Sequence, residues 1–261
     1  MAFICSCFVR YTLPHSEMAT NAFERRDGNQ RVTFMSPPHV GLPFGKVPRL
    51  LLIHLTTEAV RNRSRDVELG SSLSKFMRAL FTTPTGGANG SIRSFKTQLL
   101  RVLSLTTTVS LFDTTQARLL NVPLVDAFEI HWAALETDQR SGLPARLRLG
   151  ERMFAEMLAS AVPVDLRAVR ALQQSALALD VYFWTTYRSP RVAPTHPVRI
   201  ALSDLAAQFG TGYARESDFK IAFRHAVTQV QAVYPTLRCA LTETQFELYR
   251  SPPSVPRRVA G

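Results

Sequence analysis

The sequence predicts an α+β chain, mainly helical, arranged as two tandem winged-helix domains. Three observations carry that expectation. A helix with one apolar and one basic face is predicted over Ser91 to Ser104, after a Gly-rich loop (Thr85-Gly86-Gly87-Ala88-Asn89-Gly90) and before strand-like runs that reach Trp132. The same plan, without the glycines, recurs from Glu216 to Tyr249. With 261 residues, 46% of them hydrophobic, the chain has enough apolar material for two cores of ordinary size.

Residues 1–42 mix Ser, Pro, Gly and Arg with few periodic apolar positions, and are expected to form a largely disordered arm in which Arg31 to Met35 is strand-like. Pro48 opens a helix through Asn62, with Leu51, Leu52, Leu55, Ala59 and Val60 at helical spacing. Arg61, Arg63 and Arg65 crowd its end, where they suit either the helix dipole or a phosphate. Asp66 to Leu69 reads as a short strand or turn. Ser71-Ser72 then caps a helix to Phe81 with Leu73, Phe76, Met77 and Leu80 inward. In the helix from Ser91, Ile92, Phe95, Leu99, Val102 and Leu103 share one arc, while Arg93, Ser94, Thr97, Gln98 and Arg101 share the other. Leu105 to Phe112 and Ala117 to Trp132, separated by a turn at Asp113 to Gln116, form the expected wing. The polar link Glu136 to Gly142 marks the boundary region, with Arg146 to Leu149 a last strand beside it.

Met153 to Arg188 reads as helical, punctuated by Pro163 and Ser189-Pro190. A short helix follows over Ile200 to Phe209, with Ser203 as its cap, and Gly210-Thr211-Gly212 turns the chain into the next one. That helix, Ser217 to Val233, keeps Phe219, Ala222, Phe223, Ala226, Val230 and Val233 inside and Lys220, Arg224, Thr228 and Gln231 outside; Ile221 does not fit the pattern. Leu237 to Leu241 and Gln245 to Tyr249 make a hairpin around Thr242-Glu243-Thr244. The expected division is a first winged-helix domain over 43–150, a second over 151–253, and a disordered tail over 254–261.

The formal charge of +11 and a pI near 10.3 point to a polyanion as partner. Cys5, Cys7 and Cys239 form no CxxC pair and no metal-ligand spacing, so a reducing compartment, the cytoplasm, is expected. The apolar stretch Phe3 to Val9 lacks the charge and cleavage pattern of a signal peptide. No run approaches the roughly 18–20 apolar residues of a membrane span.

The Gly-rich loop is not followed by the lysine of a nucleotide-binding G-x-x-x-x-G-K-[ST] loop, although its shape suits one DNA phosphate, with Asn89 and Ser91 as donors. The histidines, His15, His39, His54, His131, His196 and His225, are scattered, so neither a metal pair nor nicking chemistry is expected. His54 reads as a packed residue and Asp180 as a group that orients a neighbouring helix. Catalytic residues, metal and cofactor are all absent from the expectation. What remains is double-stranded DNA, met by Asn89, Ser91, Arg93, Ser94, Thr97, Gln98 and Arg101 in the first unit and by Lys220, Arg224, Thr228 and Gln231 in the second. Which of these read bases and which hold phosphates stays open. A transcriptional repressor with winged helices, on an inverted-repeat operator, is the rival reading.

Specific residues also carry a likeness. Gly45-Lys46-Val47-Pro48-Arg49-Leu50-Leu51, Leu55-Thr56-Thr57-Glu58-Ala59-Val60 and Glu68-Leu69-Gly70 before Ser72-Leu73-Ser74-Lys75-Phe76-Met77-Arg78 resemble the plasmid-encoded RepA family of replication initiators. The likeness continues through Pro84-Thr85-Gly86-Gly87, Pro163-Val164-Asp165-Leu166-Arg167-Ala168, Leu177-Ala178-Leu179-Asp180-Val181-Tyr182 and Trp184-Thr185-Thr186-Tyr187-Arg188, and covers about residues 32–254. Ser175-Ala176-Leu177 departs from the Ser-Pro-Leu often found in relatives. The resemblance implies a bacterial initiator that binds direct repeats (iterons) at a plasmid origin. It further implies recruitment of the host replication initiator and replicative helicase, autorepression as a homodimer, and no catalysis of its own.

Overall fold

In the computed structural model, which describes residues 1–27, 29–70, 72–87, 89–112, 117–132 and 145–256, one arrangement of elements occurs twice. The first copy runs α2 (Lys46–Asn62), β4 (Asp66–Glu68), α3 (Leu73–Ala79) and α4 (Ser91–Leu103), then β7 (Val125–Glu129) and β8 (Arg146–Leu149). The second runs α7 (Ala176–Arg188), β10 (Val198–Ala201), α8 (Leu202–Phe209) and α9 (Glu216–Val233), then β11 (Cys239–Leu241) and β12 (Gln245–Leu248). The sheet orders match: β4-β8-β7 in the first copy and β10-β12-β11 in the second, all antiparallel. In the first copy the strand ahead of two helices pairs with the last strand of the hairpin behind them, and in the second it does the same.

The opening helix of each copy is buried on several faces. Leu50, Leu51, Leu52, Ile53, Leu55 and Ala59 of α2 are buried, and so is α7 from Leu177 to Thr186. Pro48 sits in the first turn of α2, where its missing N–H costs no hydrogen bond. Arg63 ends that helix in the left-handed region at φ 49°, returning its N–H to the Ala59 carbonyl. In the second copy, Trp184, Phe209, Phe219, Phe223 and Phe246 form one aromatic cluster, with Trp184 edge-on to Phe209 at 5.8 Å and Phe223 edge-on to Phe246 at 5.7 Å.

Strands account for 24% of the chain against 43% for helices, which makes the protein mixed α/β rather than mainly helical. Much of the additional sheet comes from the first 42 residues. Instead of a loose arm they form β1 (Ala2–Cys5), α1 (Ser6–Arg10), β2 (Ala22–Asp27) and β3 (Gln30–Met35), and they bury Ile4, Cys5, Phe8, Val9, Tyr11, Leu13, Phe23, Val32 and Phe34. β1 pairs with β9 (Ala161–Val164), a strand inside the stretch that read as helical. α5 (Glu151–Ala159) and α6 (Leu166–Leu172) flank it, and Asp165 caps α6 by accepting the Arg167 N–H.

The hairpin after α4 also differs from expectation. β5 (Thr106–Phe112) and β6 (Ala117–Pro123) join the N-terminal strands in a four-stranded sheet, β2-β3-β5-β6. The position expected for the wing is therefore taken by β7 and β8, and the expected last strand, Arg146–Leu149, lies in the middle of the first copy's sheet. The expected turn at 113–116 and the link at 136–142 lie outside the described residues, as does the tail beyond 256. Ser254, expected to be loose, instead meets the Tyr182 hydroxyl through its Oγ at 2.8 Å.

Candidate nucleic-acid interface

The Gly-rich loop closes on the first turn of α4 through one hydroxyl. Ser91 Oγ donates to the Thr83 carbonyl at 2.6 Å and accepts the Thr85 N–H at 2.8 Å, while the Ser91 N–H reaches Thr85 Oγ1 at 2.9 Å. Ser91 thus fastens the loop to the helix. Gly90 is required there, because a Cβ would stand 2.3 Å from the Thr85 carbonyl oxygen. Asn89 is exposed beside it. Ser91→Ala is expected to lower stability by about 1 kcal/mol through these lost hydrogen bonds, measured by urea unfolding.

Along α4, Arg93, Ser94 and Thr97 are exposed, and Thr97 Oγ1 donates back to the Arg93 carbonyl at 3.1 Å. The Lys96 ammonium lies 4.9 Å from the centre of the Trp132 ring. Gln98 and Arg101, expected on the outer arc, turn the other way. Gln98 is buried and its Oε1 accepts the Phe44 N–H at 3.0 Å. Arg101 donates to the Val40 carbonyl at 3.0 Å and to Glu17 at 2.7 Å, with its guanidinium over the Phe44 ring. The segment around 40–44 lies against this flank of α4, so the open face is narrower than periodicity implies.

On α9, Phe219, Phe223, Ala226, Val227 and Val230 are buried, whereas Arg224, His225, Thr228 and Gln231 are exposed. Lys220 pairs with Glu216 one turn earlier at 2.9 Å. Thr228 Oγ1 donates to the Arg224 carbonyl at 3.1 Å. Ile221 is 71% exposed among these polar groups. The sequence marked it as a misfit without giving it a role, and it left out His225 on the same side. Of the arginines around the end of α2, Arg61 donates to the Met1 carbonyl at 2.7 Å and Arg65 to the Leu149 carbonyl at 2.9 Å and to Asp126, which gives both a structural use.

A buried ionic junction fixes the two copies to each other. The Arg49 guanidinium on α2 grips Asp180 on α7 through Nε at 2.7 Å and Nη2 at 2.6 Å, and also donates to the carbonyls of Leu13 and Gly45. His15 adds a 2.8 Å bond from its Nε2 to Asp180. Burial alone raises the Asp180 carboxyl, but the Arg49 charge and the His15 and Arg49 hydrogen bonds outweigh it and hold the group below its ordinary value. Burial dominates at His15 and keeps it below the usual imidazole value despite the Asp180 bond. Arg25 makes a second tie, from β2 to α8. It donates to Thr12, to the Ala207 carbonyl at 3.0 Å and to Thr211 at 2.7 Å, and burial brings it down to about 10, still charged at neutral pH. His54 packs edge-on against Phe76 at 5.1 Å, in keeping with a packed residue. Among the described residues no three His, Cys, Asp or Glu side chains come together as a metal site, and no helix is long and apolar enough to cross a membrane.

Residues 42–203 match the family model described as plasmid encoded RepA protein, well over half of the chain. The chain belongs to the plasmid-encoded RepA family. The match spans the first copy of the repeated arrangement and ends just inside α8. Two solved structures extend the fold likeness over nearly the whole chain. Domains 2 and 3 of RctB, as selenomethionine derivatives, align with a TM-score of 0.58 at 10% identity, covering 92% of this chain and 94% of that one. A second structure of RctB domains 2–3 aligns with a TM-score of 0.54 at 9% identity, covering 92% and 95%. No curated protein sequence matches. Membership of the RepA family supports a role as a replication initiator of a plasmid replicon.

Proposed function

We propose that this RepA-family protein starts plasmid replication by binding direct repeats (iterons) at the plasmid origin through two winged-helix units. Their boundaries are about 43–150 and 151–253. The observation that carries the reading is the duplicated helix–strand–helix–helix–hairpin arrangement, in which the helix before each hairpin turns a polar, cationic stripe outward. Arg93, Ser94 and Thr97 form the stripe on α4, with Asn89 at its mouth. Lys220, Arg224, Thr228 and Gln231 form the one on α9. Gln98, Arg101 and Ser91 support α4 rather than touch DNA, because their side-chain polar groups are already engaged within the protein.

The two stripes enter successive major grooves of one repeat while phosphate contacts set the register. Several copies, on repeats phased by whole turns of about 10.5 bp, bend the origin and promote its opening. The open origin then receives the host initiator and the replicative helicase in the bacterial cytoplasm, and a homodimer represses the protein's own gene. No bond in DNA is made or broken by the protein itself. The test is a gel-shift titration, at low and moderate salt, against the DNA flanking the gene. Shifts that step with the number of direct repeats are expected. Binding confined to a lone palindrome favours a repressor instead, and nicking of supercoiled DNA with magnesium contradicts the non-enzymatic reading.

A further inference from the structure

α4 and α9 share a register as well as a place in the fold. Each carries a buried Phe followed by Lys, Phe95-Lys96 and Phe219-Lys220, and later buried residues fall in step: Leu99 with Phe223, and Val102 with Ala226. At 100° per residue, the position two beyond the Phe lies about 200° round the helix, directly away from the core. Thr97 holds it in α4 and Ile221 in α9. Both side chains offer methyl groups. Ile221 has nothing else to offer and is 71% exposed. Thr97 has its hydroxyl bonded to the Arg93 carbonyl at 3.1 Å, which leaves its methyl as the outward group. Both positions lie in the first two turns of their helices, the part that approaches base edges when such a helix sits in a major groove.

A lone exposed apolar side chain is ordinary on a protein surface. An exposed isoleucine and an exposed threonine methyl at one register position, on two helices of the same topology, with lysines at the preceding position in each, form a pattern that a solvated face does not require. Thymine is the base that presents a methyl group in the major groove, and apolar side chains are its natural contacts. We infer that Thr97 and Ile221 are matched specificity residues, each packing its methyl groups against the 5-methyl of a thymine, one per recognition helix. The inference rests on the DNA-binding reading above and adds to it one base that each helix recognises.

The test uses the full-length protein and a duplex that it selects from a random-sequence pool, remade with deoxyuridine in place of thymidine at one position at a time. Uracil keeps the base pair and removes only the methyl group. The wild-type protein is expected to lose about fourfold in affinity at each of two positions, one per helix, the worth of one buried methyl group. Ile221→Ser should bind the thymine and uracil duplexes alike at one of these positions, and Thr97→Ser at the other, with sensitivity elsewhere unchanged. Both substitutions are on the exposed face, and a circular dichroism melt confirms that each variant folds. Wild-type binding unaffected by uracil at every position overturns the inference while leaving DNA binding intact, as does full uracil sensitivity in both variants. Failure to select any duplex overturns the DNA-binding reading itself.

Discussion

Asp180→Asn is expected to lower the free energy of unfolding by about 3–5 kcal/mol, the cost of leaving a buried charge without its partner. The substitution keeps the shape of the side chain and removes the charge that Arg49, buried at the same junction, requires. His15 loses its charged acceptor at the same time. Replacing both members, Arg49→Met with Asp180→Leu, should recover much of the loss, because a well-packed apolar pair avoids the desolvation of two ions. Urea unfolding of the three proteins measures both effects, and equal midpoints for wild type and Asp180→Asn would show that the junction adds nothing. The pH dependence has a defined sign. Asp180 has a lowered folded pKa, so its contribution is complete above the ordinary carboxylate value of about 3.9 and is lost as pH falls through its folded value. His15 is also held low. Its contribution is complete above about 6.5 and fades as acid protonates a buried imidazole. Stability should therefore decline on acidification from about pH 6.5, and Asp180→Asn should flatten the lowest part of that decline.

Arg93→Glu and Arg224→Glu are each expected to weaken DNA binding by about tenfold or more, across all sequences, if these side chains meet phosphates. The slope of log affinity against log salt should fall by about one for each. Both residues are exposed, so their folding should match the wild type within about 0.5 kcal/mol. Gln98→Ala provides the contrast. It deprives the Phe44 N–H of its acceptor and should lower stability by about 1–3 kcal/mol while leaving the salt slope unchanged. Unchanged affinity in both arginine variants would place the DNA interface elsewhere.

How legible the site was in the sequence depended on the length of the element and the distance to its partner. α4 and α9 have apolar residues at helical spacing over three turns or more, and that pattern located both helices to within a residue or so at their ends. The same pattern put Gln98 and Arg101 outside, because periodicity within one helix carries no information about residues 40–44, which cover that flank. β1, β9 and β10 have four residues each, too short for an alternation to stand out. In β2 the alternation is disguised, since Arg25 occupies an inward position and is satisfied there by Thr12, Ala207 and Thr211. Ile221 was visible as an anomaly; only its registration with Thr97 gives it a meaning.

The pairing of β1 with β9 sets an order of events during synthesis. Ala2 lies opposite Val164, so β1 leaves the ribosome and waits for its neighbour while about 160 further residues are made, roughly ten to thirty seconds of translation. β2 and β3 can close on each other early, but β3 must then wait for β5. During that interval the apolar run from Phe3 to Val9, buried in the finished protein apart from its half-covered members, is covered only in part, by β3 through Phe34 against Phe8 and by α2 through Thr57 against Phe3. The nascent chain should therefore depend on chaperones until its second half begins to emerge, and refolding in vitro should be slow and prone to aggregation for a chain of this size.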